Sequence, residues 1–178
     1  MSETPLGEAT RDGETVVLRY ERRLMHSPGK VWRAITESAH LRHWFPADII
    51  GERAAGADLT IVFWPESIEQ AGDEIEAAGL SLDEASLPGR LLTWDPPRTF
   101  AFTWDTEELR FDLAEDDGIT LLTLTVRADK PAPRGFASTA TGYHLCLDAL
   151  VAHVENHHVN LFDEKRTAAL EKRYAATL

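Results

Sequence analysis

Three turn signals between Arg90 and Val126 constrain this chain more than any other feature. RLLTWDPPRTFAFTW is broken by Pro96-Pro97, and FDLAEDDGITLLTLTV carries an Asp117-Gly118 pair, the strongest short-range signal for a β-hairpin. With Thr106-Glu107 taken as a further two-residue loop, Phe100 falls opposite Leu113, Phe102 opposite Phe111, and Trp104 opposite Leu109. Across the Asp-Gly turn, Leu113 meets Leu122, Phe111 meets Leu124, and Leu109 meets Val126. The large apolar residues then share one face, and Thr103, Arg110, Asp112, Thr123 and Thr125 share the other. Because side chains alternate with period two, a one-residue slip in any hairpin would scramble that segregation. The chain must therefore build an antiparallel sheet, wet on one side and apolar on the other.

Such a sheet needs a partner for its apolar face, and the second half of the chain supplies one. From Ser138 or Thr139 a helix is expected in which Tyr143, Cys146, Leu147, Leu150, Val151 and Val154 recur at spacings of three and four. Ahead of the meander, Thr15 to Leu24 reads as a first strand. Ser27 and Pro28 read as an N-cap and first helical residue opening PGKVWRAIT, and a second short helix is expected over Glu37 to Trp44. DIIGERAAGADLTIVFW reads as a hairpin turning near Ala55-Gly56, with Leu59, Ile61 and Phe63 inward. Residues 65–89 hold seven acidic and no basic residues, and read as a surface insertion with a helical turn around Asp73 to Ala78. Leu92 and Trp94 fall on the outward parity, so the insertion or the tail is expected to cover them. DEKRTAALEKRYAATL reads as a closing helix with Leu170, Tyr174 and Leu178 along one side. The expected organisation is a flexible acidic leader over 1–14 and a single α+β domain over 15–178.

The order of elements, two short helices after a strand, then a meander, then a long helix, is that of a helix-grip fold. SPGKVWRAITESAHLRHWFPADI, LPGRLLTWDPPRTFAFTW and GYHLCLDALVAHVEN together resemble bacterial single-domain homologues of the C-terminal domain of the activator of heat-shock protein 90 ATPase. These belong to the START-like, or SRPBCC, superfamily, which includes polyketide cyclases and carriers of lipids or hormones. The resemblance runs over roughly Thr15 to Tyr174. It implies a curved sheet gripping the long helix and a space between them that holds apolar or amphipathic molecules, with cyclisation or hydrolysis performed there in some members. In the activator itself a separate N-terminal domain supplies much of the chaperone engagement, so a chaperone partner is not expected for this chain.

Binding of a small hydrophobic or amphipathic molecule between the long helix and the sheet is accordingly the first expectation, in a pocket lined by Trp44, Phe63, Phe102, Trp104, Phe111, Tyr143, Cys146, Leu147 and Leu150. The Tyr143 hydroxyl, the Trp104 indole and Glu52 are the candidate polar handles. A cyclase-like or hydrolytic enzyme using the same cavity, with Tyr143, Glu52 or a rim histidine as acid or base, is the alternative. A chaperone-linked or homodimeric interaction module is the third. Cys146 lies among apolar neighbours, where a thiol is an inert small hydrophobe, and His144, two residues before it, points to the other side of the helix, about 200° round. His153 and His157 share a helix face, but no third ligand completes a metal site, and no phosphate loop, GxSxG elbow or dinucleotide fingerprint is present. No metal or other cofactor is expected.

A formal charge of -12 disfavours nucleic acid and anionic membranes as partners. No apolar run reaches membrane-spanning length, and a single unpaired cysteine suits a reducing compartment, so a cytoplasmic protein is expected.

Overall fold

The computed structural model describes residues 3–77, 85–131 and 134–178. Its strands are β1 (Glu8–Asp12), β2 (Thr15–Leu24), β3 (Ala47–Gly51), β4 (Asp58–Phe63), β5 (Ser86–Asp95), β6 (Thr99–Trp104), β7 (Glu107–Asp116) and β8 (Ile119–Ala128). They form one antiparallel sheet in the order β1-β2-β8-β7-β6-β5-β4-β3. Helices α1 (Pro28–Thr36) and α2 (Ser38–Leu41) follow β2, α3 (Pro65–Ala77) follows β4, and α4 (Phe136–Val154) and α5 (Glu164–Ala175) close the chain. Tyr143, Leu147 and Leu150 of α4 share one core with Phe102, Phe111 and Leu124 of the sheet, which is the helix-grip arrangement.

Local chemistry explains most boundaries. Ser27 caps α1 through its side chain, accepting from the Lys30 N–H, with Pro28 at the first helical position. Asp163 caps α5 by accepting from the N–H groups of Lys165 and Arg166. Asp117 and Gly118 both take positive φ, which lets the hairpin twist match its strands, and β7 and β8 pair Leu109 with Val126, Phe111 with Leu124, and Leu113 with Leu122 as expected. On α5, Leu170 and Tyr174 are buried and Leu178 packs against the core.

The structure departs from the sequence reading in four places. The β6–β7 turn is Asp105-Thr106, so Phe100 pairs with Phe111, Phe102 with Leu109, and Trp104 with Glu107. Asp105 adopts φ 52°, a left-handed conformation that an aspartate tolerates and a β-branched threonine resists. The shift is two residues, so every side chain keeps its face. Second, a bulge at Leu92 reverses the parity of β5. Leu91 pairs with Phe102 and Thr93 with Ala101, which leaves Leu92 exposed and brings Trp94 inward against Trp32 and Phe100, at ring distances of 5.1 Å and 5.7 Å.

Third, part of the segment read as a leader is β1, paired with β2 at the sheet edge. The Gly7 N–H donates to the Tyr174 hydroxyl at 2.9 Å, and a Cβ at Gly7 would stand 2.5 Å from the Tyr20 ring. Only glycine lets the backbone cross that ring so closely. Fourth, the helical turn expected around Asp73 to Ala78 is the end of a longer helix, Pro65–Ala77, that opens the acidic segment; Ala78 lies outside the described residues.

Burial of charge is the remaining surprise. Arg22 sits on the inward face of β2 beside Leu18, Tyr20 and Leu24, and Asp148 of α4 meets it at 3.3 Å, both side chains about 5% exposed. Asp148 also accepts from the Thr4 hydroxyl at 3.0 Å and pairs with Arg166, while His144 lies 3.3 Å from it. The His144 ring bonds the Tyr174 hydroxyl at 2.8 Å and Thr4 at 2.9 Å. This network ties β2, α4, α5 and the segment before β1 together. Burial pushes the Asp148 carboxyl up, but the hydrogen bond and charge of His144, the Arg22 charge and the Thr4 hydroxyl outweigh it and hold the group below its ordinary value.

Candidate ligand cavity

A cavity of about 680 Å³ lies along the N-terminal half of α4. Trp44, Phe45 and Pro46 wall it after α2, Ser67 and Gln70 from α3, Trp104 and Glu107 from the β6–β7 hairpin, and Leu161 with Phe162 before α5. From α4 come Thr141, Gly142, Tyr143, Leu145 and Cys146, a span of directions that carries the cavity from the sheet side of the helix to the α5 side, where Thr167, Ala168 and Glu171 complete it. The volume is that of an ordinary small-molecule site.

Of the residues singled out in the sequence, Trp44, Trp104, Tyr143 and Cys146 line this space. Phe63 stands behind Trp104, with ring centroids 6.0 Å apart, and Phe45 packs on Trp104 at 5.2 Å. Phe102, Phe111, Leu147 and Leu150 are buried to 1% exposure or less and belong to the packed layer beneath. Phe100 stacks on both Phe102 and Phe111, so the centre of the sheet–helix interface is filled by the protein's own rings. The open space is thus displaced toward the hairpin end of α4, where Gly142 projects no side chain: a Cβ built there meets nothing within 4 Å.

The polar floor comes from the revised hairpin register. Pairing with Trp104 places Glu107 at the head of β7 on the inward face, and its Oε2 accepts from the Trp104 indole N–H at 2.9 Å and from the Tyr143 hydroxyl. The Trp104 N–H also lies 3.0 Å from the Tyr143 oxygen, closing a three-membered cluster. Burial raises the Glu107 carboxyl above its ordinary value; the hydrogen bonds from Tyr143 and Trp104 work against that rise, and the Asp105 charge adds to it. Burial, then the neighbouring Glu107 charge, lifts Tyr143 well above a normal phenol. Burial alone pushes the Cys146 thiol up to about 12, which leaves almost no thiolate at neutral pH and no activated nucleophile. Glu107 is the residue that sequence reasoning missed, because it was assigned to the loop. Its signal was its parity with Leu109, Phe111 and Leu113.

The other proposed handles lie elsewhere. Glu52, expected as a polar handle, is exposed in the six-residue connection between β3 and β4 and does not reach the cavity. His40 and His43 do not line the cavity; they meet His153 of α4, His40 Nδ1 at 2.9 Å from its Nε2 and the His43 ring stacked at 4.4 Å. Burial, with the charges of His43, His40 and Lys30, holds His153 below its ordinary value. His157 and His158 are exposed beyond the end of α4. Among the described residues no group of three or more His, Cys, Asp or Glu is placed to hold a metal ion, and no helix is long and apolar enough to cross a membrane.

Comparison with known proteins agrees with this architecture. The family model described as "Activator of Hsp90 ATPase homolog 1-like protein" matches residues 25–155. A conserved protein of unknown function from Enterococcus faecalis superposes with a TM-score of 0.72 at 18% identity, covering 97% of this chain and 92% of its own. CalU16 from Micromonospora echinospora gives 0.62 at 16% identity, over 96% and 94%. A protein solved as the Aha1 dimer from Colwellia psychrerythraea gives 0.56 at 17% identity, over 78% and 96%. At these identities the likeness is one of fold. No curated protein matches the sequence.

Proposed function

The chain belongs to the activator of Hsp90 ATPase homolog 1-like family, within the START-like or SRPBCC superfamily, and from that premise we propose that it binds a small hydrophobic or amphipathic molecule in the cavity beside α4. The observation that carries this reading is the cavity itself: about 680 Å³ of space with an aromatic and aliphatic end formed by Trp44, Phe45, Trp104, Leu145 and Leu161, the Trp104–Tyr143–Glu107 cluster at its floor, and a polar rim from Ser67, Gln70, Arg134, Glu164 and Glu171. Apolar walls supply affinity by removing ligand surface from water, and a few fixed polar groups set orientation. In this reading Trp44, Trp104, Tyr143 and Cys146 contact the ligand directly. Phe63, Phe102, Phe111, Leu147 and Leu150 give those walls a rigid backing. The unpaired cysteine supports residence in the cytoplasm.

The test is organic extraction of the purified protein with mass spectrometry, alongside titration with the neutral fluorescent probe Nile red. The reading expects a co-purifying amphiphile or saturable binding with one probe per chain. Failure of both would remove it.

A second reading, a cyclase-like or hydrolytic enzyme, is favoured by one specific feature: Glu107 and Tyr143 form a carboxyl–phenol pair within hydrogen-bonding reach inside the cavity. Burial raises the Glu107 carboxyl, which makes it a stronger proton acceptor than an exposed carboxylate, with the Tyr143 hydroxyl as its hydrogen-bond donor. Turnover of a bound compound that is lost in Glu107→Gln, with binding of that compound retained, would establish it. Self-association is a separate proposal, prompted by the Colwellia protein having been solved as a dimer; a monomeric mass by light scattering would remove it.

A further inference from the structure

The hydrogen bonds at the cavity floor are unevenly distributed. Both donors that reach Glu107, the Trp104 indole N–H and the Tyr143 hydroxyl, end on Oε2. Among the described residues nothing donates to Oε1. Yet among the described residues Oε1 is not one of the buried polar atoms left without a partner, so it keeps accessible surface, and Glu107 lines the cavity. The floor therefore offers an acceptor and withholds its donors, since the Tyr143 proton and the Trp104 proton are both engaged with the carboxylate.

We propose that the ligand class is a cationic amphiphile, an apolar chain bearing a protonated amine that donates to Glu107 Oε1. This rests on the cavity being a binding site. The charges of the described wall residues agree: Glu107, Glu164 and Glu171 stand against one cation, Arg134, whose Nη2 is already 2.9 Å from Glu171. An anionic head would meet the Glu107 carboxyl oxygen with no donor to answer it.

Three probes with the same chain and different heads test this: dodecylamine, dodecanol and dodecanoate, each titrated near neutral pH by displacement of Nile red. Dodecylamine is expected to bind at least about tenfold tighter than dodecanol, the margin of a charge-assisted over a neutral hydrogen bond, with dodecanoate weakest. Glu107→Gln, which keeps an acceptor for Trp104 and Tyr143, should lower the dodecylamine affinity at least about tenfold and bring its ratio to dodecanol near one. Dodecanol or dodecanoate matching dodecylamine in the wild-type protein overturns the inference while leaving the binding site intact. A preference for the amine that survives Glu107→Gln also overturns it, by assigning the effect to the overall negative field. Absence of binding by all three overturns the binding reading itself.

Discussion

Gly142→Leu separates folding from ligand binding. Gly142 lies in the interior of α4, where glycine is about 1 kcal/mol less favourable than alanine and leucine only slightly less so. Gly142 is exposed and lines the cavity, and a Cβ there meets nothing within 4 Å, so a leucine starts from open space and gains about 0.8 kcal/mol of helix propensity. For a chain of this length that raises Tm by about 2 °C. The same side chain occupies space beside Tyr143 and Cys146. If it denies a bound chain about 80 Å² of apolar wall, the loss at about 25 cal/mol/Å² is about 2 kcal/mol, or roughly thirtyfold in Kd. Thermal unfolding by calorimetry and dodecylamine titration on the same preparation give both numbers. A variant that melts lower would show that the space is not open, and one that melts higher but binds as wild type would show that the ligand sits elsewhere.

The buried network gives a second expectation. Asp148→Ala leaves Arg22 buried without its counter-ion and should cost about 3–5 kcal/mol, lowering Tm by about 10 °C, whereas Arg22→Met with Asp148→Leu should recover most of it. A loss below about 1 kcal/mol would mean that the pair is effectively hydrated. Because the Asp148 carboxyl is held below its unfolded value, its contribution is complete above the ordinary carboxylate range and disappears as pH falls through the folded value, which acid unfolding of wild type against Asp148→Asn will show. Glu107 has the opposite sign: its raised carboxyl favours the folded state at low pH, and amine binding should strengthen as pH rises through its ionisation, with Tyr143 and Cys146 held neutral by burial. Affinity independent of pH across that range would contradict a carboxylate contact. At pH 8 the Cys146 thiol, pushed up to about 12, should present on the order of a thousandfold fewer thiolates than a free cysteine and react correspondingly slowly with iodoacetamide; rapid labelling would show that it is not buried.

How far the fold was legible depended on whether a signal was local or set by an opposing surface. Ser27-Pro28 and Asp117-Gly118 act through their own backbone geometry, and both took the roles assigned to them. The Asp105-Thr106 turn escaped because a two-residue shift preserves the face of every side chain, and facial agreement was the test applied. That shift hid Glu107. The bulge at Leu92 escaped for the converse reason: it changes parity, and the misplaced Trp94 was its trace, read instead as a residue needing cover. β1 carries no apolar alternation, since Glu8–Asp12 is mostly exposed and is ordered by pairing with β2. Arg22 and Asp148 each share the face of buried neighbours, but neither predicts its partner across more than a hundred residues of chain. The cavity's displacement toward the hairpin followed from packing, since the Phe100, Phe102 and Phe111 rings fill the position where the space was expected.

The indole N–H resonance of Trp104 tests the central claim most directly. Five tryptophans give five such signals in a two-dimensional nitrogen–proton spectrum, and Trp104 alone among them donates to Glu107. On titration with dodecylamine the Trp104 indole and the Gly142 and Glu107 amides should shift together and saturably, while the indoles of Trp32 and Trp94, packed against Phe100 on the other side of the core, stay in place. Saturable binding that moves Trp32 and Trp94 and leaves Trp104 unchanged would contradict the assignment of the site.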